Sequence, residues 1–162
     1  METILILTTG GTIDKVYFDA KSAYEVGPPN ISTLLAELNL SISYRIVSVM
    51  RKDSLDLTDD DRQLIYDQAV SSDETRILIT HGTDTMVETG TKLLPIADKT
   101  IVLTGALQPA MFKTSDALFN IGCGLTAAQT LESGVYIAMS GGVFECTNVK
   151  NKHRTKPFDP LD

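Results

Sequence analysis

The chain has 162 residues, enough for one domain with its own core, and its 43% hydrophobic and 22% charged content is typical of folded globular proteins. Fourteen Lys and Arg residues against twenty-one Asp and Glu residues give a net charge of -7, which disfavours nucleic-acid binding because it repels phosphate. Two cysteines and two histidines, which form no metal-spaced cluster, exclude a disulfide framework and disfavour a structural zinc site.

The first predicted element follows Met1 directly, as an apolar run that threonines soon end. It lacks the basic region and the long apolar region of a signal peptide, so we expect a cytoplasmic protein without a membrane segment. Four further short apolar runs follow, and such runs are typical of strands buried on both faces of a parallel sheet. The five predicted strands cover residues 4–7, 42–49, 77–79, 101–103 and 135–139.

Helical patterns lie between these strands. Thr58, followed three residues later by Asp61, predicts a capping box and a helix that runs to about Ser71. A second helix is predicted by an apolar face made of Leu118, Ile121, Leu125 and Ala128. The alternation of strand and helix predicts one doubly wound α/β domain over residues 1–162.

Ligands of such domains bind at the carboxyl ends of the strands. Three of the predicted ends combine glycine with small hydroxyl residues, which are costly to bury without partners and therefore indicate a site. Gly10-Gly11 alone is explained equally well by a tight turn, and it lacks the features of nucleotide-binding loops. The three ends are Thr8-Thr9-Gly10-Gly11-Thr12, Thr80-His81-Gly82-Thr83-Asp84-Thr85 and Thr104-Gly105-Ala106-Leu107-Gln108-Pro109.

Other polar residues near these ends also have structural explanations. Thr83 or Asp84 could cap the helix that follows them, and Ser54 could cap a loop. Tyr24 could be an ordinary half-buried aromatic residue. A histidine such as His81 is more often structural, and we do not expect it to be catalytic.

Taken together, these blocks resemble the bacterial-type, threonine-dependent L-asparaginases in order and spacing. The matching blocks are Thr8 to Ile13, Ser22 to Gly27, Asp53 to Asp56, His81 to Thr85 with Met86, Glu88 and Thr89, and Thr104-Gly105 with Ser115-Asp116 and Asn120. The resemblance implies a three-layer, mainly parallel sheet fold of Rossmann-like or flavodoxin-like type. It also implies hydrolysis of L-asparagine to L-aspartate and ammonia, with L-glutamine as a possible second substrate and without a cofactor.

The same resemblance assigns roles to individual residues. Thr12 would be the nucleophile and Tyr24 would help to take its proton, while Thr83, Asp84 and a lysine would form a second group, which makes Thr83 another catalytic candidate. Gly11 and the backbone around Thr83 would donate N–H groups to the oxyanion. The expected catalytic residues are Thr12, Tyr24, Thr83, Asp84 and Lys152, and the expected substrate-binding residues are Gly11, Asp53, Ser54, Gly82, Thr83 and Asp84.

The C-terminal part departs from the family pattern. A gap-free comparison places Asn151 at the family's lysine position, and a shift of one residue favours Lys152 over Lys150. We also expect the chain to lack the family's second domain and to complete its site as a homo-oligomer, whose interface lies near the strand carboxyl ends and whose 146–158 segment covers the site. Removal of all residues after Thr147 is then expected to abolish activity with little loss of folded structure.

Three other functions stay open at this point. The chain could be a glutaminase or another small-amide amidase, or it could be an amino-acid-binding module with weak or no turnover. A nucleotide-binding protein of flavodoxin-like fold is the third alternative.

Overall fold

Residues 2–151 and 158–160, which the computed structural model describes, form ten strands and four α-helices. The strands are β1 Ile4–Gly10, β2 Lys15–Phe18, β3 Ala23–Val26, β4 Tyr44–Lys52, β5 Arg76–Thr80, β6 Thr100–Thr104, β7 Gly134–Met139, β8 Gly142–Glu145, β9 Val149–Asn151 and β10 Phe158–Pro160. The helices are α1 Ile31–Ala36, α2 Asp59–Ser71, α3 Met86–Leu93 and α4 Ala117–Thr130. None of these helices has the length and apolar character needed to span a lipid bilayer.

Six strands form the main sheet in the order β4-β1-β5-β6-β7-β8. The first five are parallel, and β8 pairs with β7 in the antiparallel direction at one edge. All five strands predicted from the apolar runs are therefore confirmed. The strand order reverses between β1 and β5, which makes the carboxyl ends of these two strands the expected place for a ligand.

The sheet separates two apolar layers, which confirms the predicted three-layer fold. Alternate residues of a strand point to opposite faces, so Leu5 and Leu7 of β1 pack with α2 and α3, whereas Ile4 and Ile6 pack with α1 and α4. The central strands are buried on both faces, which explains why their sequences are continuous apolar runs rather than alternating patterns.

The capping box predicted for α2 is present. The Thr58 hydroxyl accepts a hydrogen bond from the Asp61 N–H at 3.2 Å, and the Asp61 carboxylate accepts one from the Thr58 N–H at 2.9 Å. Lys52, the last residue of β4, forms an ion pair with Asp61 at 2.8 Å. The start of α2 is thereby joined to the carboxyl end of β4, next to the expected site.

The predicted apolar face of α4 is confirmed for three of its four residues. Ile121, Leu125 and Ala128 are buried, but Leu118 is 45% exposed, so its placement in the core was wrong. The buried stripe begins one residue earlier, at Ala117, and a step of one residue turns Leu118 by about 100° towards solvent.

The C-terminal strands also contribute to the core. β9 and β10 pair with each other, and Val149 and Phe158 are buried among the residues on the α2 and α3 side of the sheet. Removing the chain after Thr147 would take away Val149 and Phe158 and expose apolar surface, so the structure favours some loss of stability in this truncation. Lys152, the lysine favoured from the sequence, lies outside the described residues, whereas the backbone of Lys150 is part of β9.

Candidate active site

The carboxyl ends of β1, β5 and β4 meet at two glycines. Gly11 has a φ of 88°, and a Cβ atom there would lie 2.5 Å from the Gly82 nitrogen. A Cβ atom on Gly82 would lie 2.7 Å from the Ser54 Oγ. Because a side chain fits at neither position, the glycines allow three loops to touch, and the structure brings together the predicted residues Gly11, Gly82 and Ser54.

Thr12 and Thr83 directly follow these two touching glycines in the chain. Thr12 is half-buried and begins a short 3-10 turn, Thr12–Asp14. Thr83 is half-buried as well, whereas the next residue, Asp84, is exposed. The two hydroxyl residues and the carboxylate predicted to act on substrate are therefore carried by neighbouring loops.

The Gly11 N–H has a different role from the one that we predicted. It donates a hydrogen bond to the Lys52 carbonyl at 2.9 Å, so it is engaged with β4 and is not the oxyanion donor expected from the sequence. The first N–H groups of a helical turn have no hydrogen-bond partner within the turn. Thr12 is the first residue of the 3-10 turn after Gly11, so its N–H group is one of these.

Neither Thr83 nor Asp84 occupies the N-cap position of α3. The helix begins at Met86 after Thr85, whose hydroxyl donates to the Ser54 carbonyl at 2.9 Å and joins the loops after β4 and β5. The alternative explanation of Thr83 or Asp84 as the helix cap is therefore not supported by the structure.

Ser54 and Asp53 lie on the loop after β4. Ser54 is 1% exposed, and within the described part of the chain its hydroxyl has no hydrogen-bond partner. Asp53 caps the following turn by accepting the Leu55 N–H at 3.1 Å, and it pairs with Lys15 at 3.1 Å. Burial would raise the pKa of Asp53, but these two donors outweigh it and hold the pKa below its usual value.

Tyr24 is an exposed aromatic residue. It belongs to the β2–β3 hairpin, is 49% exposed, and packs edge-on against Phe112 with ring centroids 5.7 Å apart. Among the described residues, its hydroxyl makes no hydrogen bond with Thr12. Instead, Tyr24 lines a polar cavity of 470 Å³ together with Lys15 and Asp53.

His81 is structural, as expected. It is fully buried, and its Nδ1 lies 2.6 Å from the Gly82 carbonyl, which can only accept, so Nδ1 carries the proton. Burial lowers the pKa of His81 to about 4, so the ring is neutral and its Nε2 accepts from the Thr89 hydroxyl at 2.7 Å. That hydroxyl accepts in turn from Arg62 Nε at 3.2 Å. This buried chain of hydrogen bonds fixes the Gly82 carbonyl.

Sequence reasoning missed a buried acid beside the site. Asp14 ends the turn that begins at Thr12, is 2% exposed, and accepts the Asn30 N–H at 2.8 Å. Burial raises its pKa to about 6, against the opposing effects of the Asn30 N–H and of Arg51. No pattern indicated this, because a lone acid after a glycine pair is ordinarily exposed to water.

The partners of His81 and the catalytic lysine are the remaining features of the site. The sequence analysis did not identify Arg62 and Thr89 as partners of His81. Both residues lie on the buried faces of their helices, α2 and α3, and the helical spacing of buried positions could have indicated this. The catalytic-lysine prediction, Lys152, lies outside the described residues.

Comparisons with known proteins agree with this arrangement. Residues 3–161 match the family model described as asparaginase, N-terminal. A probable periplasmic L-asparaginase of Haemophilus influenzae is 32% identical over 168 residues, covering 96% of this chain and 48% of the relative. A glutaminase-asparaginase of Pseudomonas fluorescens is 27% identical over 181 residues, covering 99% of this chain and 50% of the relative.

A solved structure of similar fold is the probable cytoplasmic L-asparaginase of Campylobacter jejuni. Its TM-score is 0.85 at 25% sequence identity, and the match covers 100% of this chain and 54% of that one. The chain thus spans about half the length of the curated relatives that it matches.

Proposed function

The chain belongs to the asparaginase family, and from this membership we propose that it hydrolyses the side-chain amide of L-asparagine, releasing L-aspartate and ammonia. The observation that carries the proposal is the close approach of Gly11 to Gly82 and of Gly82 to Ser54. It brings together the three sequence blocks that resemble the family and are expected to bind substrate. L-Glutamine is the second candidate substrate, because one relative is named for both amides.

In the proposed reaction, the Thr12 hydroxyl attacks the amide carbonyl carbon and gives up its proton. Backbone N–H groups of Thr12 and of the loop after Gly82 stabilise the oxyanion, a contribution of about 3 kcal/mol per donor in comparable enzymes. Ammonia leaves with the added proton, and water then hydrolyses the ester on Thr12. Thr83, on the adjoining loop, is proposed to help activate Thr12 or the water.

The proposed site selects an amino-acid amide because it binds both charged groups of the substrate, the α-ammonium and the α-carboxylate. Asp84, which is exposed at the site, would receive the α-ammonium group. The α-carboxylate would accept a hydrogen bond from Ser54, whose buried hydroxyl has no hydrogen-bond partner among the described residues. Asp53 is engaged with Lys15 and the Leu55 N–H, so we propose that it orients the Ser54 turn rather than binding substrate.

Tyr24 and a lysine complete the proposed set of catalytic residues. We propose that Tyr24 takes the proton from Thr12, which requires its hydroxyl to be within hydrogen-bond distance of the Thr12 hydroxyl. We propose Lys152 as the cation of the second group, following the family pattern.

Assembly and cellular location are parts of the same proposal. Because Thr12 and Thr83 are only half-buried and Asp84 is exposed, the site gains from a cover that excludes water. We propose that residues 1–162 act as one domain and that a second copy supplies the cover, so sedimentation should show more than one subunit. A stable, fully active monomer would contradict this.

The proposed location is the cytoplasm. The names of the relatives differ on this point, and cell fractionation tests it.

The test of the activity is ammonia release from L-asparagine and L-glutamine by wild type, Thr12→Val and Thr83→Val. Valine keeps the volume of threonine and removes the hydroxyl, so both variants should fold and lose activity by about a thousandfold or more. Thr33→Val is the matched control, since Thr33 is exposed on α1. Near-native rates in both site variants would contradict the threonine mechanism. Binding of L-asparagine without turnover by wild type would identify a binding module instead.

A further inference from the structure

The buried carboxylate of Asp14 has no part in the reaction proposed above, yet it lies in the same short turn as Thr12. It is 2% exposed, and its Oδ1 accepts the Asn30 N–H at 2.8 Å. Asn30 directly precedes α1, so this bond joins the turn after β1 to the segment that leads into the first helix.

Backbone and side-chain bonds surround this contact on both sides. The Asp14 carbonyl accepts the Gly27 N–H at 2.8 Å, and its own N–H donates to the Gly11 carbonyl at 3.1 Å. The Asn30 side chain donates to the Ile13 carbonyl at 3.4 Å. The turn that carries Thr12 is therefore held along its length against residues 27–30.

Residues 27–30 also continue directly from the hairpin strand that carries Tyr24. Gly27 follows the last residue of β3, and Tyr24 lies three positions before it. A change in the bonds between Asp14 and this segment would consequently shift Thr12 and the hairpin relative to each other.

A carboxylate is a costly choice for this position. Burial disfavours its charged form, and Arg51 on β4 is the charged side chain among the described residues whose field offsets that cost. A neutral asparagine could also accept the Asn30 N–H, so stability alone does not account for an acid here. Costly ionisable groups beside a reaction centre are commonly functional.

We propose that Asp14 is a positioning residue, whose carboxylate holds the Thr12 turn against residues 27–30 and so sets the placement of Thr12 relative to the Tyr24 hairpin. The proposal rests on the proposed function, in which Thr12 attacks the amide. Asp14 does not touch the substrate, so its loss should act on kcat and leave KM nearly unchanged. Its charged form accepts the stronger hydrogen bond, so the hold should weaken when it is protonated.

Two variants and one control test this role by kcat and KM measured between pH 5 and 8. Asp14→Asn keeps an acceptor oxygen without the charge and should lower kcat about tenfold at pH 7.5, whereas Asp14→Ala removes the acceptor and should lower kcat about a hundredfold. KM should stay within about threefold. Asp19→Asn makes the same charge change on the exposed side of the hairpin and should leave both constants unchanged.

The pH profile separates positioning from a purely structural role. Wild-type kcat should fall on acidification with a midpoint near the Asp14 pKa of about 6, towards the value of Asp14→Asn, and that variant should lack this limb. The Asn30 amide signal in NMR should titrate with the same midpoint in wild type only. An active wild type whose acid limb and Asn30 titration persist in Asp14→Asn would overturn the role of Asp14 alone. A wild type that releases no ammonia would overturn the proposed function itself, and this role with it.

Discussion

Two buried groups, His81 and Asp14, should make large and opposite contributions to the pH dependence of the free energy of unfolding. Burial lowers the pKa of His81 from 6.5 to about 4, so the unfolded chain takes up a proton in this range that the folded protein resists. Stability is therefore lost as the pH falls from 6.5 to 4. At about 1.4 kcal/mol per pKa unit, the loss amounts to about 3 kcal/mol.

Asp14 acts in the opposite direction. Burial raises its pKa from 3.8 to about 6, so between these values the folded protein binds the proton more tightly than the unfolded chain does. Its stabilising contribution is complete below pH 3.8 and is lost as the pH rises through 6, again by about 3 kcal/mol. The contributions of His81 and Asp14 nearly cancel in wild type.

In the variant Asp14→Asn, the effect of His81 on the pH dependence of stability should no longer be offset. Its free energy of unfolding, minus that of wild type, should grow by about 2 to 3 kcal/mol from pH 4 to pH 7.5, because asparagine cannot ionise. Urea denaturation followed by circular dichroism at several pH values measures this difference. The contributions of acids that are the same in both proteins, such as Asp61, cancel in it. Asp19→Asn should run parallel to wild type. A parallel curve for Asp14→Asn would refute the assignment of a buried, ionising Asp14.

Two further predictions concern the residues around the site. Asp84→Asn should raise the KM for L-asparagine about tenfold or more with a smaller effect on kcat, since it removes the charge proposed to meet the substrate ammonium; an unchanged KM would move that role elsewhere. Thr89→Val should lower the free energy of unfolding by about 2 to 5 kcal/mol, because it leaves both His81 Nε2 and Arg62 Nε without their buried partner. A loss below about 1 kcal/mol in chemical denaturation would show that this buried chain contributes little.

The main sheet and the place of the site could be predicted because they depend on local patterns. A strand buried on both faces must be apolar throughout, so the apolar runs of β1 and β6 marked these two strands. The parallel arrangement then brings the strand ends to one edge, and the Gly10-Gly11 and His81-Gly82 blocks follow two adjacent strands. The capping box at Thr58 was readable because both of its bonds are local in sequence.

Features that depend on distant contacts were not readable in this way. The β2–β3 hairpin has two strands of four residues with large exposed rings, Tyr17 and Tyr24, so no apolar run marked it. The pairing of Lys15 with Asp53 joins that hairpin to the loop after β4, across a sequence separation that no local pattern spans. The burial of Asp14 arises in the same way, from residues 27–30 folding back over the turn.

The most direct test of the central claim is a crystal structure of the protein with the product L-aspartate bound. We expect the ligand at the meeting point of Gly11, Gly82 and Ser54, with its α-ammonium group at Asp84 and its side-chain carboxylate within hydrogen-bond distance of the Thr12 hydroxyl. Binding elsewhere, for example in the cavity between Tyr24 and Asp53 with Thr12 uncontacted, would contradict the account.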